Sequence, residues 1–98
     1  MTPRPDALKR IAAEFRIHPV AELDLMIVSG GKRFGIEYKY TDAPSRSRSM
    51  SVAMGDLGLE HLWVVFPEGP EYPLDKRITA MPMKSVPRLV QRLKRKRR

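Results

Sequence analysis

Two carboxylates and an amine, Asp24, Glu37 and Lys39, fall on two alternating runs that flank the dipeptide Gly30-Gly31. That dipeptide suits a type I′ hairpin turn, because both central residues need φ > 0. Taking Gly30 and Gly31 as the tip sets the register: Ile27 opposite Phe34, Leu25 opposite Ile36, Leu23 opposite Tyr38. A four-residue loop from Ser29 to Lys32 leaves that register unchanged. These apolar pairs share one face, and a period of two puts the charged residues on the other. There Asp24 stands opposite Glu37, and Glu22 opposite Lys39. A slip by one residue would send the acids into the core, so the register is firmly specified. Like charges directly opposite destabilise a sheet. Compensation comes either from Lys39, one pleat away, or from a divalent cation such as Mg²⁺, which takes one or two carboxylates and keeps several waters. The other reading is a solvated face that pairs Glu22 with Lys39 and screens Asp24 from Glu37.

The hairpin, roughly Glu22–Val28 and Arg33–Tyr40, sits inside an alternation of short elements. Pro5 and Asp6 suit a helix start, with Leu8, Ile11 and Ala12 on one side of a helix over 7–14. Phe15-Arg-Ile-His reads equally as a short strand ending at Pro19 or as a continuation of that helix to Ile17. After the hairpin, Thr41 or Asp42 can cap a helix with Pro44 at an early position. Met50, Ala53, Met54 and Leu57 then define one apolar face from Ser45 to Leu57. Gly58 suits the left-handed C′ position. His61-Leu-Trp-Val-Val-Phe66 is a continuous apolar run, as in a strand buried on both faces and parallel to a neighbour. Glu68 to Pro73 reads as a proline-rich loop, and Arg77–Met81 as a short edge strand stopped by Pro82. Val86, Leu89, Val90 and Leu93 mark a final helix from Ser85 that frays in a run of Arg and Lys. The expected fold is α/β: a small mixed sheet, an antiparallel hairpin plus a parallel crossover strand, flanked by helices.

At 98 residues, 42% hydrophobic and 31% charged, the chain supports one modest core. There is no cysteine, which excludes disulfides and thiolate metal sites. His18 and His61 are too few for a zinc site. No apolar run is long enough to span a bilayer, and the N-terminus lacks a signal-peptide pattern, so a cytoplasmic location without membrane contact is expected. The net charge of +8 is concentrated at one end. Lys84, Arg88, Arg92, Lys94, Arg95, Lys96, Arg97 and Arg98 account for all of it, with no acid among them. Residues 1–83 are therefore formally neutral, which suggests a domain over 1–83 and a basic C-terminal helix and tail over 84–98.

The spacing of Asp24 and Glu37-Tyr38-Lys39 resembles the PD-(D/E)xK site of restriction-endonuclease-like nucleases. The run from Ala21 to Met83 more specifically resembles the restriction-endonuclease-like C-terminal domain of predicted prokaryotic ATPases of the AAA superfamily. Ala-Glu-Leu-Asp-Leu, Gly-Ile-Glu-Tyr-Lys-Tyr-Thr-Asp-Ala-Pro, Ser49-Met50, Asp-Leu-Gly-Leu-Glu-His-Leu-Trp-Val-Val and Tyr-Pro-Leu-Asp-Lys-Arg-Ile-Thr-Ala carry it. The resemblance implies a metal-dependent nuclease site. Asp24 and Glu37, with Glu22 as a further ligand, would hold Mg²⁺, and Lys39 would orient the attacking water or stabilise developing charge. Leu23 stands where many such nucleases have proline, and Glu14 is the one candidate for an N-terminal acidic ligand.

Arg46 and Arg48, at the start of the helix after the Glu37 strand, are candidate phosphate contacts, or else solvent-facing arginines. Arg92 and Arg95 in the basic tail are two more, or else charges that favour a frayed helix end. Trp63, Phe66 and the methionines read as core. Gly30-Gly31-Lys32 lacks the spacing of a P-loop, so no ATP site is expected; an ATPase partner would be a separate chain. Two functions remain open: a nuclease-like domain that associates with nucleic acid, and a non-catalytic interaction module, including a homodimer formed by strand addition.

Overall fold

Gly30 and Gly31 adopt φ of 61° and 79° and join β2 (Leu23–Ser29) to β3 (Lys32–Tyr38). The computed structural model describes residues 16–20 and 23–96, with 16–20 and 96 described at the backbone alone. The hairpin register is the expected one from the tip inward: Ser29 pairs with Lys32, Ile27 with Phe34 and Leu25 with Ile36. Beyond Leu25 it departs from expectation. Leu23 does not face Tyr38 on the face of Leu25; it clusters with Met26 on the other face and pairs with Val20. Gly35 explains the turn. A Cβ on Gly35 would lie 2.7 Å from Cδ1 atoms of Leu23 and Leu59 and 3.0 Å from that of Leu62, so its missing side chain makes the room that Leu23 fills.

Six strands form one sheet in the order β1-β2-β3-β4-β6-β5. The added strands are β1 (Arg16–Val20), β4 (His61–Phe66), β5 (Tyr72–Asp75) and β6 (Ile78–Pro82). β3, β4 and β6 run parallel and the remaining pairs antiparallel, so the fold is the mixed α/β arrangement expected. The segment around Ile17 is a strand, and Pro19 lies within it rather than ending it. The helix expected over 7–14 lies outside the described residues. β6 is not the edge: the proline-rich segment supplies β5, which pairs outside it. Pro73 argues against a central strand but is tolerated on an edge, where its missing N–H costs no ladder bond.

The two helices cover opposite faces. α1 (Arg48–Leu57) starts later than expected. Its cap is Ser47, whose hydroxyl accepts the Met50 N–H at 3.4 Å, not Thr41 or Asp42. Pro44 precedes the helix instead of opening it, because it is buried and its carbonyl accepts the Tyr72 hydroxyl at 2.6 Å. Gly58 closes α1 in the left-handed conformation, φ 61°. Met50 and Ala53 of α1 pack with Met26, Leu59, Leu62, Val64 and Ile78. α2 (Val86–Lys96), entered through a 3-10 turn at Met83–Ser85, lays its apolar stripe over Leu25, Ile27, Phe34, Ile36, Trp63 and Val65.

Within the segment 84–98, set apart by its charge, residues 84–96 are therefore built into the domain through the 3-10 turn and α2. Val86, Leu89, Val90 and Leu93 are each at most 3% exposed, and fully burying such a side chain stabilises by about 1.5–3 kcal/mol. The Ser29 hydroxyl, buried at the hairpin end, donates to the Leu93 carbonyl at 3.3 Å and ties the last turn of α2 to β2.

Two substitutions check this packing. Leu93→Ala should cost about 2–5 kcal/mol in denaturant unfolding, whereas exposed Lys84→Ala should stay within about 0.5 kcal/mol. Gly35→Ala should destabilise by about 1–3 kcal/mol, because its methyl displaces three leucine ends in a filled core.

Candidate functional site

Where β2 turns away from β3, a side chain replaces the backbone ladder. Extended by one step, the Leu25–Ile36 register would give the Tyr38 N–H to the Leu23 carbonyl. It goes instead to the Asp24 carboxylate, with N to Oδ2 at 2.8 Å. β3 remains paired on its other side, where the Lys39 N–H donates to the Val65 carbonyl at 2.8 Å. Glu37 and Lys39 thus stand two residues apart on a strand held by β4, facing the α1 side. Lys39 Nζ lies 3.7 Å from Glu37 Oε1.

Glu37 is the less exposed partner, its side chain 20% accessible against 41% for Lys39. Burial pushes its carboxyl above the ordinary glutamate value, the Lys39 charge opposes that shift, and the Asp24 charge adds to it. The Asp24 charge thus acts on Glu37, although the two are not partners in the observed register, which stops at Leu25 and Ile36. Lys39 also lines a recess of about 220 Å³ with Thr41, Pro44, Ser45, Ser47 and Met50, at the N-terminal end of α1.

A hard cation held here would have few protein ligands. The donor set comprises two carboxylates, one of them half-buried and short of compensating charge, with water or a phosphate oxygen completing the shell. Glu22 lies outside the described residues. Among those described, no group of three or more His, Cys, Asp or Glu is arranged to hold a metal.

The four candidate arginines do not share one surface. Arg46 is engaged within the fold: its Nε is 3.2 Å from Asp75 Oδ2, and its guanidinium donates to Ser51 Oγ at 3.1 and 3.3 Å. It fastens the segment before α1 to the end of β5. Arg48 is exposed at the first turn of α1. Arg92 and Arg95 ride on α2, over the opposite face. Two polar contacts escaped sequence reasoning. The Asp24–Tyr38 bond joins a side chain to a backbone amide 14 residues away, and His61 Nε2 meets Thr79 Oγ1 at 2.7 Å across β4 and β6. Neither leaves a signal in residue type or spacing. Among the described residues, no helix is long and apolar enough to cross a membrane.

The fold and site define a small mixed α/β domain with a carboxylate pair and a lysine at one end of its parallel strands. No family model matches the chain, and no solved structure matches it. The chain is 41% identical over 68 residues to an uncharacterised protein of Mycobacterium tuberculosis and, equally, to one of Mycobacterium bovis. The match covers 69% of this chain and 15% of each relative, so the chain spans a small part of the length of the curated relatives it matches.

The raised Glu37 pKa fixes the sign of a pH dependence. The folded state holds the Glu37 proton more tightly than the unfolded chain, so this group's contribution falls as pH rises. Wild type should lose stability relative to Glu37→Gln between the ordinary value of 4.5 and the raised folded value, and the gap should be constant above it. Unfolding free energies of both proteins across pH 4–8 check this; parallel curves contradict it.

Proposed function

We propose that this chain is a restriction-endonuclease-like domain that associates with nucleic acid and hydrolyses phosphodiesters with Mg²⁺. The observation that supports it most is the meeting of Asp24, Glu37 and Lys39 at one end of the sheet, with Glu37 half-buried beside a second carboxylate. Asp24 and Glu37 would hold the cation, with Glu22 as a third ligand. Bound there, the cation supplies charge to polarise a phosphate and lowers the pKa of a water. Lys39, an ammonium with three donors beside that pair, would hold the attacking water or neutralise phosphate charge. Asp24 is oriented by the Tyr38 N–H, so its carboxylate needs little reorganisation to act. Arg48 would contact the nucleic-acid backbone on this side, with Arg92 and Arg95 contributing electrostatic attraction from the other. Arg46 contributes by fixing the approach to α1.

A second reading is favoured by one observation: the matched segment is 15% of the length of its relatives. In that reading the domain is an interaction module that docks on a separate ATPase or on a second copy. Strand addition at β5 is opposed by Pro73 and by the irregular register between Pro73 and Asp75. A homodimer would therefore use another surface.

Incubation with single-stranded, duplex and branched DNA, each with Mg²⁺ or Mn²⁺, separates the two. Cleavage by wild type should fall at least about a hundredfold in Asp24→Asn and Lys39→Met, as for loss of a group stabilising a transition state. Asp24→Asn is the informative change, because its amide oxygen still accepts the Tyr38 N–H. The metal should also raise the melting temperature of wild type and not of Asp24→Asn. Absence of cleavage with no metal effect on melting leaves the interaction module.

A further inference from the structure

Glu60, His61, Trp63, Arg77, Thr79 and Arg92 line a recess of about 300 Å³ on the face covered by α2. It lies at the opposite end of the parallel strands from the carboxylate pair. His61 opens β4 beside Phe34, whereas Glu37 stands beside Val64 further along. Two guanidiniums reach it from separate elements, Arg77 from the β5–β6 turn and Arg92 from α2. Among the described residues, neither has a carboxylate within ion-pairing distance. The one acid on the rim, Glu60, has Lys32 Nζ 3.6 Å from its Oε1. Among the described residues, the recess therefore carries more positive than negative charge.

Its walls are polar and held in place. His61 Nε2 and Thr79 Oγ1 are 2.7 Å apart, and the imidazole lies over Trp63 with ring centroids 4.5 Å apart. Trp63 is 3% exposed and fixed in the core by Phe34, so it forms a rigid floor. Planar guanidinium forks bind phosphate oxygens in pairs, and a Thr79 hydroxyl that accepts from the His61 imidazole keeps its own proton to donate. The structure assigns this recess as a binding site for a phosphate group, carried by a nucleotide or by a polynucleotide. It is independent of the carboxylate pair and does not require the domain to be a nuclease.

Trp63 is the single tryptophan of the chain, so its fluorescence reports on the recess directly. The full chain is titrated at constant ionic strength with inorganic phosphate, a 5′-phosphorylated oligonucleotide and the same oligonucleotide without that phosphate. A saturable change in emission is expected, weakened about tenfold or more in Arg77→Gln and in Arg92→Gln and unchanged in Lys84→Gln. Arg92→Lys should fall between, because it keeps charge but loses the fork. Melting curves of each variant exclude unfolding as the cause. Tighter binding of the phosphorylated oligonucleotide identifies a terminal phosphate; equal binding of both oligonucleotides, tighter than inorganic phosphate, identifies the backbone. No saturable change with any of the three, or retention of binding by both glutamine variants, overturns the assignment.

Discussion

The hydrogen bond from the Tyr38 N–H to Asp24 is the constraint on which the site depends. β3 is shared between an antiparallel neighbour, β2, and a parallel one, β4, and the two ladders end at different places. On the β4 side pairing continues to the Lys39 N–H; on the β2 side it stops at Leu25. A backbone donor left unpaired in a part-buried position costs about 1–3 kcal/mol. Asp24 removes that cost and in the same contact places its carboxylate beside Glu37. A structural need and a chemical arrangement are met by one side chain.

The cause lies close by on each strand, at Leu23 next to Asp24 and at Gly35 three residues before Tyr38. Gly35 leaves a gap on the α1 face, Leu23 turns into it with Leu59 and Leu62, and the alternation of β2 breaks there. Without that break, Asp24 would stand in a regular ladder as one of two repelling charges. With it, Asp24 is anchored to backbone, and Glu37 is left between a carboxylate and an ammonium. Burial and the Asp24 charge raise the Glu37 pKa against the pull of Lys39. A hard cation would supply the charge this pair is short of, which links the electrostatics to the proposed metal.

Much of this was legible in the sequence because it is local. Gly30-Gly31 specifies its turn by φ, Gly58 its helix end, and the run 61–66 its double burial, all from residues close in the chain. The misreadings have non-local causes. The α1 start depends on Tyr72 holding Pro44, and the outer strand β5 depends on a neighbour that accepts a proline at its edge. The tail was set apart on its charge, yet Val86, Leu89, Val90 and Leu93 carry α2 onto the sheet. For the candidate site, the pattern put Asp24, Glu37 and Lys39 near one another but did not show the amide that orients the first of them. The four arginines looked alike in sequence, and only packing separates Arg46, already paired with Asp75, from the others.

The central claim is that Asp24 and Glu37 act together on one cation. A crystal soaked in Mn²⁺ and measured at the manganese absorption edge tests it most directly. The account predicts an anomalous peak between the two carboxylates, with the Tyr38 amide still bound to Asp24. A well-ordered site with no peak there, and Glu37 satisfied by Lys39 alone, would contradict it.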